Sequence, residues 1–156
     1  MEASGKTGVR MGKAVRIGLI AGLLGFLVMH QGTLFLLHHY GAGLAPQIGR
    51  VPMPYSMASM APFGLPQVAM LAIEAAIWGV VLCLLLRALP PPDLLTGFAF
   101  GVAVIGGSQL SWMAELRGLP WMAGGNEQQV LRTFLLGGVL GWGIAFWARP
   151  MALQGN

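Results

Sequence analysis

Two titratable side chains, His30 and Glu74, stand near the middle of long apolar stretches of this sequence. In water such residues need no account. Inside a bilayer, an acidic group at the centre of a helix costs on the order of 3 kcal/mol to insert, so its presence points to a partner or a task. Counting ~1.5 Å per residue from the midpoint of each stretch puts both side chains about 3 Å to one side of the membrane centre. A His30–Glu74 hydrogen bond, or a carboxyl kept neutral by desolvation, would lower the cost. Gln31, Ser108 and Gln109, with Thr33 and Ser111, fall in the same leaflet, and the opposite leaflet is nearly free of polar side chains. The expectation is a polar binding hollow open to one face, made of His30, Gln31, Glu74, Ser108 and Gln109, above an apolar floor. Interhelical hydrogen bonds that only hold a bundle together, typically worth under ~2 kcal/mol each, would use the same residue types.

Other chemistries find less support. There is no nucleophile elbow, no His-Glu-x-x-His and no phosphate loop, so no catalytic residue is expected and the chain reads as a non-enzyme. Met53, Met57 and Met60, with His38 and His39 not far away in sequence, are soft ligands of the kind that suit Cu(I). They lack a strict repeat, and thioethers equally fill irregular apolar gaps, so no metal site is expected. Adjacent histidines point about 100° apart on a helix and chelate poorly together. They read as interfacial anchors beside Tyr40. Haem would need a second axial ligand, for which only a methionine such as Met70 or Met113 is on offer, and no cofactor is expected. Cys83 is the single cysteine, which rules out an internal disulfide.

The elements that must position His30 and Glu74 are four apolar runs, Ile17–His39, Val68–Leu86, Leu94–Ala114 and Val130–Ala148. A hydrocarbon core needs about 20 mostly apolar residues per helical crossing, and each run fits one. Hydrophobic residues make up 56% of the 156 positions and charged ones 9%. That leaves too few polar residues to cover a soluble domain of this size, which would carry roughly 25% charged residues. The class is all-α: an integral membrane four-helix bundle forming one transmembrane domain. The net charge of +4 gathers at Lys6, Arg10, Lys13 and Arg16, without the interleaved aromatics of a nucleic-acid face. No nucleic-acid partner is expected, and the lipid bilayer is the partner the composition requires. The first run exceeds the roughly 7–15 residues of a signal-peptide core and reads as a retained helix.

Placing Lys6, Arg10, Lys13, Arg16, Arg87 and Arg149 inside and Arg50, Arg117 and Arg132 outside obeys the positive-inside rule, with both termini cytoplasmic. The turn Pro90–Asp93 is short, so the second and third helices should be antiparallel neighbours. Two longer connections, 40–67 and 115–129, then lie outside, and the first of them, over Val51–Pro66, is rich in Pro and Met. Small residues recur four apart at Gly18/Gly22, Ala72/Ala76, Ala75/Gly79, Gly97/Gly101 and Gly137/Gly141, the spacing that lets helix backbones approach closely in lipid.

Several segments, His30–Thr33, Pro54–Ala58, Pro62–Pro66 and Arg117–Pro120, resemble those of a group of small uncharacterised four-span bacterial inner-membrane proteins. The likeness runs from about Gly18 onward. It implies a multi-pass protein of the bacterial inner (plasma) membrane and carries no activity with it. Two functional readings remain: a non-catalytic accessory or scaffold subunit docked to a membrane-protein partner, or a small transporter or channel. The second would handle protons or cations through His30 and Glu74, as a homo-oligomer. Short length favours the first, because alternating access usually moves two repeats against each other.

Overall fold

The computed structural model describes residues 2–88 and 93–153; the Pro90–Pro92 part of the expected turn lies outside them. Among the described residues, four helices are long and apolar enough to cross a membrane: Met11–Leu44, Gln67–Leu86, Asp93–Leu116 and Glu127–Arg149. The chain is thus a polytopic all-α membrane protein. Each span reaches past the corresponding apolar run, because a helix continues until its backbone is capped, not until its side chains turn polar. One end of the bundle holds residues near Arg87 and Asp93, and is called the turn end. The other, the loop end, carries the two longer connections.

The first and third membrane helices are interrupted in the same way. The first is built from α1 (Glu2–Leu24), a π-helical stretch Gly25–His30, and α2 (Gln31–Leu44). The second is α3 (Gln67–Leu86). The third comprises α4 (Asp93–Phe100), a π-helical stretch Gly101–Gly106, α5 (Gly107–Leu110) and α6 (Trp112–Leu116), with a break at Ser111. The fourth is α7 (Glu127–Leu153). A π stretch displaces the hydrogen-bond ladder by a residue and leaves carbonyls seeking other donors. In the first helix the Gln31 N–H reaches Phe26 O and Val28 O and passes over Leu27 O. The Tyr55 hydroxyl donates to that Leu27 carbonyl at 2.7 Å. Beside the third helix's π stretch, Ser108 Oγ donates to Ile105 O and Ser111 Oγ to Gly107 O, both at 2.7 Å.

Glycines set the helix pairing. The first membrane helix lies against the second and the fourth, and the third lies against the fourth. A Cβ on Gly18 would stand 2.5 Å from Val80 Cα, and one on Gly22 2.8 Å from Ala76 Cα, so these backbones touch. Across the other pair, a Cβ on Gly101 would meet Gly138 Cα at 2.9 Å and one on Gly141 would meet Gly101 Cα at 2.7 Å. These are the four-spaced glycines of the sequence, used for packing within the chain. Toward the turn end the core is Ala21, Leu82, Cys83, Phe100, Ile144 and Ala148. There Arg149 Nε also faces Asp93 Oδ2 at 3.7 Å, a half-exposed pair of the kind worth at most ~1 kcal/mol.

The second and third membrane helices are close at the turn end, where α3 meets α4, and then diverge. The resulting wedge opens toward the loop end. The Val51–Pro66 connection folds over that end instead of extending away from it. Its carbonyls at Ser56 and Ala58 accept from Val68 N and Gln67 N at 3.0 and 2.8 Å, satisfying donors that every helix start leaves open. A two-residue antiparallel ladder, Ser59–Met60 with Leu65–Pro66, closes its tip. His38 Nδ1 donates to Val51 O at 2.9 Å, so this histidine anchors the loop.

Candidate functional site

Gly118 determines where the third membrane helix stops. It adopts φ +68°, with Leu119 N donating to Ala114 O at 2.8 Å and Gly118 N to Glu115 O at 3.0 Å. This is the paired hydrogen bonding of a Schellman cap, which needs a left-handed residue after the last helical one. Arg117 is consequently the capping residue, held at the helix end and not carried off into a loop. Its side chain turns back into the wedge and pairs with Glu74 of α3. A second Arg117 nitrogen donates to Gln109 Oε1, and Gln109 Nε2 donates to Glu74 Oε2 at 2.8 Å. Guanidinium, amide and carboxylate thus form a closed three-membered ring of hydrogen bonds. Both ions are shielded, with side-chain exposures of 8% for Arg117 and 9% for Glu74. In such surroundings either ion alone would carry a desolvation penalty of several kcal/mol.

The ring lies on a cavity of about 240 Å³ that fills the wedge. Its apolar lining includes Phe26, Leu71, Trp78, Ile105 and Leu140; its polar lining adds His30, Gln67, Gln129, Arg132 and Thr133 to the ring. Near the rim, Met122, Ala123 and Gly124 form a left-handed turn, with φ of 47°, 54° and 63°, and Ala123 reaches the cavity wall. Two buried nitrogens at the cavity lack a hydrogen-bond partner among the described residues: His30 Nδ1 and Arg117 Nε. Arg132 donates to the Arg50 carbonyl and has no carboxylate partner among the described residues.

Of the five residues expected to make a hollow, His30, Glu74 and Gln109 line it. Gln31 and Ser108 are buried but used elsewhere. Gln31 Oε1 accepts from Tyr55 N at 2.8 Å and holds the loop, and Ser108 serves its own helix. The expected His30–Glu74 hydrogen bond is not formed. The carboxylate has the stronger option of a guanidinium, and the His30 ring stacks on Phe26 with centroids 5.2 Å apart. Arg117, expected outside the membrane, is the residue that sequence reasoning missed. Its signal was present: a Gly-Leu-Pro run directly after Arg117 marks a helix terminus, two turns beyond a glutamine already assigned to the hollow.

No group of three or more His, Cys, Asp or Glu among the described residues could hold a metal ion. No family model, curated protein or solved structure matches this chain.

Proposed function

We propose that this chain is a non-catalytic accessory subunit of a membrane complex, in the bacterial inner membrane with both termini cytoplasmic and the loop end outside. The observation that supports it is the closed Glu74–Gln109–Arg117 ring. A carboxylate that carries protons or cations must exchange partners, and this one is matched by a guanidinium and an amide. Below the ring the buried core continues with the apolar side chains Leu82, Phe100 and Ile144. Such an arrangement braces α3 against the end of the third helix and gives a rigid body for docking. Purification from its native membrane in mild detergent tests the reading: co-migration with a larger membrane complex is the expected result. A stable homodimer carrying nothing else would contradict it.

One observation favours a second reading, small-scale proton or cation transport. His30 presents an unpartnered Nδ1 in the same cavity as Glu74. Proton flux into liposomes containing the purified chain, abolished by His30→Gln, would establish transport. Flux equal to that of empty liposomes would dismiss it.

A further inference from the structure

The cavity has an amphiphilic layout that the accessory role does not use. Toward the loop end its lining carries two guanidinium groups, Arg117 and Arg132, against one carboxylate, Glu74. Glu74 is matched by Arg117. Arg132 therefore remains as the lining cation without a carboxylate among the described residues, its one described hydrogen bond going to the Arg50 carbonyl. Deeper in, Phe26, Leu71, Trp78, Ile105 and Leu140 offer only apolar surface.

We propose that this wedge is a binding site for a single-chain carboxylate amphiphile, with its oxyanion at Arg132 and its tail against Trp78 and Leu140. The sign of the head follows from the surplus guanidinium, since a cationic head would face Arg132 uncompensated. The tail follows from the lining, and its size from the volume. At about 240 Å³ the cavity falls just below the ~300 Å³ of the smallest ordinary ligand pockets, enough for a short chain and too little for a two-tailed lipid. Entry is lateral or from the loop end, where the second and third membrane helices diverge. The site does not depend on the assembly role proposed above.

Trp78 lines the cavity and supplies the readout. The full chain in phosphatidylcholine nanodiscs is titrated with 8-bromooctanoate, 8-bromooctan-1-ol and 8-bromooctylammonium. The bromine at the tail end quenches a tryptophan it touches, and a Trp78→Phe sample isolates that signal from the other tryptophans. Saturable quenching by the acid is expected, with the alcohol weaker by about tenfold, the size of one charge-assisted hydrogen bond. Arg132→Gln, which leaves the Glu74 ring intact, should remove that advantage while leaving the alcohol unchanged. Equal affinity for acid and alcohol, or an acid affinity indifferent to Arg132→Gln, would overturn the assignment of the head. Absence of Trp78 quenching by all three probes would overturn the site. Displacement of the acid by phosphatidylglycerol, but not by added octanoate, would assign the oxyanion to a lipid headgroup and overturn the free-acid proposal.

Discussion

Glu74 of the second membrane helix and Arg117 at the cap of the third form an ion pair across a wedge where their helices have parted. The pair does what direct helix contact does elsewhere in the bundle. Gln109 completes it by bonding to both ions, so that neither leans on water. Loss of one ion strands the other, which typically costs 3–5 kcal/mol when the pair is buried, whereas removal of both costs far less.

A double-mutant cycle should therefore show strong coupling between Glu74→Leu and Arg117→Leu. Each single variant is expected to lose about 3 kcal/mol or more, with the double variant well short of the sum. The same cycle run with His30→Leu and Glu74→Leu should show clearly weaker coupling, because the two side chains line one cavity but share no hydrogen bond. Unfolding in mixed micelles reads both cycles, and additivity in the first would remove the ring as a structural clamp.

Gly118→Ala should weaken the cap. Its φ of +68° lies where a Cβ is penalised, by roughly 1–2 kcal/mol for a non-glycine residue. Because Arg117 is aimed by that cap, the variant should also raise the exchange rate of the amides of residues 114–119. Unchanged exchange there would mean that the ion pair alone positions Arg117.

Replacing Gly101 or Gly141 with Leu should lower the thermal transition in detergent by several degrees or prevent folding, because each backbone touches the opposite helix. Gly107 is the internal control. A Cβ there meets nothing within 4 Å, so Gly107→Ala should be neutral or mildly stabilising. Equal effects at Gly101 and Gly107 would show that the third and fourth helices do not meet through their glycines.

Tyr55→Phe should loosen the loop without unfolding the bundle. It deletes the donor to Leu27 O, a carbonyl that the π stretch leaves without its usual N–H. The expected loss, in the local closing of the loop and not in global unfolding, is about 1 kcal/mol. Faster proteolysis between residues 50 and 60 at unchanged thermal stability is the signature to look for.

For topology, thiols introduced at Ser59 or Gly125 should react with a membrane-impermeant reagent from outside. Cys83 is buried and adds little background. Reaction only after permeabilisation would reverse the orientation.

Composition and apolar run length by themselves determined that this is a membrane protein with four crossings, since about 20 apolar residues per run have few other soluble uses. The four-spaced glycines were legible for the same reason: a missing side chain at helical period matters only where backbones meet. The candidate site was legible in part. That Glu74 must find a partner follows from the cost of burying its charge, but which partner does not. His30 matched it in depth along the sequence, yet depth says nothing about angle around a helix. The π stretches and the break at Ser111 rotate the ends of two helices by amounts that no residue pattern reports. The tertiary structure decided the rest. It parted the second and third helices, sent Gln31 to the loop and Ser108 to its own backbone, and turned Arg117 inward to the carboxylate. These outcomes depend on competition among several hydrogen-bonding groups for few partners in a medium without water, and that competition is resolved only when all the helices are in place.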